Sequence, residues 1–224
     1  MLTPPGVFPN GTVRAAALAA AHERGLADRS YTWTYRVRRE GTVAGVAPDL
    51  TLVRVRTTAD RTVFVVEQPD DDWTPDRTLY VENGTGYLGS LSGADPRVLV
   101  TDDPGTPERY VGAGEAIGRF LSGPGFDVAV VERHGRRFYR LYRRNGSLPA
   151  ELAGGATNGS NVTATAYVTP AGVVRTLAVE YERPGAGPRD RVSLRFDYAA
   201  VGETAVERPA WVGNGTGPPA SPGA

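Results

Sequence analysis

The stretch that decides the fold lies late in the chain: Val162-Thr163-Ala164-Thr165-Ala166-Tyr167-Val168, a turn at Thr169-Pro170-Ala171-Gly172, then Val173 to Tyr181, and Val192 to Tyr198. Val162, Ala164, Ala166 and Val168 share one face, with Leu177, Val179 and Tyr181 and then Val192, Leu194, Phe196 and Tyr198 in phase. The intervening positions carry Thr163, Thr165, Glu180, Glu182, Arg191, Ser193, Arg195 and Asp197. A period of two with one apolar and one wet face predicts an antiparallel sheet covered on one side.

The same period appears upstream. Tyr31, Trp33, Tyr35 and Val37 alternate with Thr32, Thr34, Arg36 and Arg38, giving a strand with an aromatic face. Residues 50–57 and 62–68 read as strands. Residues 79–82 and 87–91 flank Asn83-Gly84, whose tolerance of positive φ marks a hairpin. Val128 and Val130 open another strand, His134-Gly135 turns, and 137–144 returns. Before the strands, residues 12–27 predict a helix, with Thr12 as its cap and Ala15 to Ala21 as strong helix formers. Gly114 to Ser122 predicts a short second helix presenting Ile117, Phe120 and Leu121. Residues 92–112, rich in Pro, Asp and Gly, read mostly as loop, as do residues 145–159. The expectation is an α+β fold: residues 1–11 as a tail, one domain over 12–211, and a disordered stretch over 212–224.

Composition narrows the function classes. The chain has 224 residues, enough for a real core, with 28 Gly and 18 Pro to supply turns. Net charge is zero, so nucleic acid is not expected as a partner. All 25 basic residues are Arg, a bias that a GC-rich genome accounts for. The absence of Cys excludes disulfides, thiol catalysis and thiolate metal sites.

All six Asn residues open an N-x-[ST] triplet: Asn10, Asn83, Asn145, Asn158, Asn161 and Asn214. Turn chemistry explains the Gly that follows five of them but not the Ser or Thr one place later. The triplets are candidate N-glycan acceptors, and glycan transfer places the chain outside the cytoplasm. Met1 to Gly6 lacks the basic and apolar regions of a signal peptide, so the expectation is that the true start lies upstream or that the chain is a fragment. No apolar run is long enough to span a membrane.

Candidate chemistry is sparse, and no enzyme activity, cofactor or metal is expected. His22 sits in the predicted helix, His134 in a turn, and no Gly-x-Ser-x-Gly elbow occurs. Asp70, Asp72, Thr74 and Asp76 have the spacing of a calcium loop, but Pro75 and Val81 stand where Gly and Glu are needed. Gly112 to Gly118 resembles a dinucleotide loop without its βαβ setting. Arg133, Arg136, Arg137, Arg140, Arg143 and Arg144 crowd one hairpin with Phe138, Tyr139 and Tyr142; they form either an anion-contacting face or a plain wet face. Tyr31, Trp33, Tyr35, Phe120, Leu194 and Phe196 are the candidate ligand-binding residues, with a packed core as the competing reading.

Three phrases carry a resemblance: Ala21-His22-Glu23-Arg24-Gly25-Leu26 with Ser30-Tyr31-Thr32, then Val173 to Leu177 with Glu180-Tyr181, then Tyr198 through Val201-Gly202-Glu203-Thr204 to Pro209-Ala210-Trp211. Together they resemble an uncharacterised family of haloarchaeal surface lipoproteins. That resemblance implies a lipid-anchored protein on the outer face of an archaeal membrane, the anchor being absent from this chain. It also implies a fold similar to the LolA and LppX lipoproteins, a strongly curved antiparallel half-barrel packed on helices, with lipid or another apolar ligand as the implied partner. The alternative is a structural or interaction glycoprotein of the envelope with no small ligand.

Overall fold

The structure, a computed structural model, describes residues 3–40, 49–69, 75–90, 97–147, 161–183 and 190–214. Asn158 and the calcium-like run from Asp70 to Thr74 lie outside these residues.

The elements follow the chain as α1 (Ala15–Leu26), β1 (Tyr31–Glu40), β2 (Asp49–Thr57), β3 (Val63–Pro69), β4 (Pro75–Glu82), β5 (Thr85–Ser90), β6 (Arg97–Thr101), α2 (Pro107–Tyr110), α3 (Ala113–Phe120), β7 (Asp127–Arg133), β8 (Arg136–Gly146), β9 (Val162–Val168), β10 (Val174–Arg183), β11 (Asp190–Ala199) and α4 (Trp211–Asn214). The strands form one open antiparallel sheet in the order β6-β5-β4-β3-β2-β1-β11-β10-β9-β8-β7. The α+β class expected from the sequence, a large antiparallel sheet with few helices, is the fold observed. Tight turns set the registers: Asn83 (φ 50°) and Gly84 (φ 83°) join β4 to β5, and His134 (φ 50°) and Gly135 (φ 68°) join β7 to β8.

Two compact units partition the chain. The first comprises Met1–Ala27, Thr34–Thr51 and Gly112–Ala199. Its sheet face is read from the register. Leu177 pairs with Phe196 and with Ala166, Val179 with Leu194 and with Ala164, and Tyr181 with Val192, so these side chains share one side. Leu141 and Tyr139 extend that side onto β8. All are buried. Helix α1 approaches this face closely where residues are small. A Cβ on Gly25 would lie 2.3 Å from Val173, and one on Gly172 (φ +92°) would lie 2.7 Å from the Ala21 Cβ.

The second unit comprises Asp28–Trp33, Leu52–Val111 and Ala200–Ala224. One side of its strands, Val65 and Tyr80 with Val63 and Tyr87, packs against Val206, Trp211 and Val212. Gly89 sits under the Trp211 ring, where a Cβ would come within 3.2 Å. The other side meets α2 through Phe64 and Tyr110, ring centres 6.2 Å apart.

Four local expectations need correction. Thr12 does not cap α1: Arg14 occupies the cap position, and the Thr12 N–H instead donates to Asn10 Oδ1 at 3.1 Å. The segment read as a tail is packed from Thr3 onward, with Val7 buried and bridged to Val13, and Val13 bridged to Gly123. Within the stretch read as loop, Arg97–Thr101 is a strand because Val98, Leu99 and Val100 complete β5's ladder, and Pro107 opens a turn of helix. Val212, placed in the disordered tail, is 8% exposed and packs on Val65 and Tyr80.

Candidate functional site

The aromatic face of β1 divides between the units. In the second unit Tyr31 and Trp33 are buried. The Arg61 guanidinium lies 4.6 Å above the Tyr31 ring and pairs with Glu108 at 3.2 Å. Burial raises the Tyr31 hydroxyl pKa, with Arg61 opposing.

In the first unit the structure brings the other four candidates to the helix-bearing side of the sheet. Phe120, the last residue of α3, faces Tyr181 at 6.0 Å between ring centres. Phe196 meets Tyr198 edge-on at 5.9 Å, and Leu194 pairs beside Val179 on the same side. Phe120 and Phe196 are 1% and 0% exposed, so both are close-packed here. Tyr35 is half-buried. Its hydroxyl is raised first by burial and then by Tyr181, with Arg119 lowering and Glu115 raising it. The arrangement is an apolar wall with a polar edge under α3, whose Glu115 and Arg119 form an i,i+4 ion pair.

A second apolar feature lies in unit two. Val55, Val66, Leu79, Leu88 and Leu99 are successive ladder partners across β2 to β6 and therefore share one face. Exposure rises along this row: Val55 is 0% and Val66 5% exposed, while Leu88 reaches 40% and Leu99 65%. The row runs from the core to the open edge of the sheet. The sequence reading places Leu79 and Leu88 in strands and misses only the outer end at Leu99, because β6 lies in the Pro- and Asp-rich stretch. The signal that could have found it is Val98-Leu99-Val100.

The third feature is polar. A recess of about 610 Å³ in unit one is lined by Gly118, Arg119, Ser122, Pro124, Gly125 and Arg143 to Ser147. Arg143 donates Nη1 to the Ser122 carbonyl at 2.9 Å and Nη2 to the Phe120 carbonyl at 3.0 Å, tying down the carbonyl end of α3. Its guanidinium lies 4.4 Å over the Phe126 ring, and burial lowers its pKa. Along the rest of the basic hairpin, Arg133 stacks on Tyr167 at 4.0 Å, and Arg140 and Arg144 lie over Tyr142 at 6.0 and 5.7 Å.

The two histidines part ways. His134 is exposed in its turn. His22 is 2% exposed; its Nδ1 accepts the Val174 N–H at 3.2 Å, and its Nε2 lies 3.3 Å from the Tyr198 hydroxyl. The Nδ1 acceptor role assigns the neutral Nε2–H tautomer, and burial pushes the pKa down to about 4. A neutral imidazole so held joins α1 to the sheet. Among the described residues no three His, Asp or Glu side chains gather to hold a metal.

Of the glycan candidates, Asn10, Asn83, Asn145 and Asn161 are exposed, and Asn83 (φ 50°) and Asn145 (φ 57°) sit in left-handed turns. Asn214 ends α4.

No family model and no curated protein matches the chain. Among solved structures it is similar to LprF from Mycobacterium bovis, at 12% identity and a TM-score of 0.41, covering 87% of this chain and 95% of that one. It is also similar to a LolA superfamily protein from Nitrosomonas europaea, at 10% identity and a TM-score of 0.30, covering 90% and 97%. A conserved protein from Thermus thermophilus gives 11% identity and a TM-score of 0.30, covering 81% and 85%. With TM-scores under 0.5, none of these likenesses carries an argument about what this chain binds.

Proposed function

We propose that this protein is a non-enzymatic, extracytoplasmic surface protein that holds an apolar ligand, lipid by class, against the apolar side of its sheet. The observation that carries the reading is the row from Val55 to Leu99, whose outer residues stand 40% and 65% exposed at Leu88 and Leu99. Two leucines paired across the outermost ladder expose an apolar surface that folding alone does not require. Within the first unit, Tyr35 supplies a half-buried hydroxyl as a separate proposed contact on the side that carries Leu194. No helix among the described residues is long and apolar enough to cross a membrane. The proposed attachment to the outer face of a membrane is the lipid anchor that the sequence resemblance implies.

The test is titration of a dansyl-labelled fatty acid into the wild type and the Leu88→Gln/Leu99→Gln double variant. Saturable binding that weakens about tenfold or more in the double variant is expected, the loss of two apolar contacts being worth roughly that much. No binding by the wild type, together with no lipid in native mass spectra of protein from its own host, would refute the reading.

The close packing of Phe120 and Phe196 favours a second reading, an envelope glycoprotein whose core is filled and whose outer surface meets other components. The exposed positions of Asn10, Asn83, Asn145 and Asn161 suit it. An intact mass equal to the bare polypeptide, measured on protein from the native host, would remove the glycans from either reading.

A further inference from the structure

The basic hairpin is not absorbed by an apolar-ligand function, and it ends in the recess of about 610 Å³ between the close of α3 and the close of β8. The way β8 ends explains why. Its register with β9 shifts between Arg143 and Gly146, and Asn145 takes a φ of 57°. A regular strand would send Arg143 and Arg144 to opposite faces. The irregularity breaks that alternation, so Arg143, Arg144, Asn145, Gly146 and Ser147 all line one concavity.

Charge does not balance there. Arg119 is paired with Glu115. Arg143 and Arg144 have no carboxylate partner among the described residues; Arg143 is held by two backbone carbonyls and Arg144 by the Tyr142 hydroxyl, which accepts from its Nε at 2.8 Å. The two carbonyls fix the Arg143 guanidinium without neutralising it, and the Arg143 Nε is buried with no hydrogen-bond partner among the described residues. Arg144 is oriented through Nε, leaving its terminal nitrogens for another acceptor. Ser122, Ser147 and Asn145 add polar groups on the rim, and Cβ atoms on Gly118 or Gly125 would meet nothing within 4 Å.

We infer that this recess is a binding site for a phosphate-class oxyanion, with Arg144 and Arg143 as its charged donors and the rim serine hydroxyls as neutral ones. Planar guanidiniums fixed by other hydrogen bonds are suited to phosphate oxygens. The volume exceeds what a bare phosphate fills, so a substituted phosphate fits as well. Free phosphate and a lipid headgroup share this chemistry. The site does not depend on the apolar-ligand reading and stands if that reading falls.

The experiment compares wild type, Arg144→Gln and Arg136→Gln. Arg136 is exposed at the opposite end of the same hairpin and serves as the control for diffuse basic charge. Each is titrated calorimetrically with inorganic phosphate at low salt, and each is sedimented with phosphatidylglycerol and with phosphatidylcholine vesicles. Circular dichroism confirms that both variants fold. The expected result is about tenfold weaker binding by Arg144→Gln and less than about twofold change in Arg136→Gln. Phosphate binding with no added affinity for vesicles assigns free phosphate. Vesicle binding that requires phosphatidylglycerol and is lost in Arg144→Gln assigns a headgroup. Absence of both bindings in the wild type, or equal weakening by the two variants, overturns the site.

Discussion

His22 makes stability depend on pH in a window where carboxylates contribute little. Burial holds its pKa near 4 in the folded chain, against 6.5 for a solvated imidazole. The folded protein therefore keeps a neutral ring below pH 6.5, while the unfolded chain takes up a proton. Where the unfolded state binds more protons, stability rises with pH. The loss accordingly begins as pH falls through 6.5 and levels off below 4. Between pH 7 and pH 5 this linkage amounts to about 1.8 kcal/mol. His22→Gln supplies the comparison: its amide can accept from Val174 N–H and donate towards Tyr198, and it does not titrate. Urea denaturation of both proteins at pH 7 and pH 5 isolates the histidine, since both carry the same carboxylates. The wild type is expected to lose about 1.8 kcal/mol more than the variant over that interval. Parallel losses, agreeing within about 0.5 kcal/mol, would refute the assignment of a buried neutral His22.

Two further outcomes test the packing of the first unit. Phe196→Ala removes a fully buried ring from the face shared with Leu177 and should cost about 3–5 kcal/mol in denaturant unfolding; a cost under about 1 kcal/mol would mean that this face is not close-packed. Gly172→Ala places a Cβ 2.7 Å from Ala21 at a φ of +92°, so a loss of about 1–3 kcal/mol is expected, and unchanged stability would contradict the close approach of α1 to the sheet.

How much of this was legible depends on where the governing forces act. The alternation in Val162 to Val168 and Val192 to Tyr198 announced their strands because burial of one sheet face imposes a period of two on the residues themselves. Asn83-Gly84 and His134-Gly135 announced hairpins because positive φ is a local cost that few residues tolerate. Thr12 misled because the backbone stays extended one residue beyond it, where Val13 bridges to Val7 and to Gly123, so that α1 starts only at Ala15 with Arg14 at its cap position. Arg97 to Thr101 was obscured because its strand state comes from pairing with β5, while its flanks carry turn residues.

By itself, then, the sequence determined the secondary-structure period, the α+β class, the absence of thiol chemistry and the six glycan triplets, since each follows from residue identity and near neighbours. Only the tertiary structure decided which side chains meet. It placed Phe120 over Tyr181, ran the leucine row out to an open edge, and turned Arg143 inward to close α3. It also gathered Gly118, Arg119, Ser122, Pro124 and Gly125 with residues 143–147 into one recess. Those outcomes depend on register, on a one-place irregularity in β8 and on contacts between residues far apart in the chain, none of which a local pattern encodes.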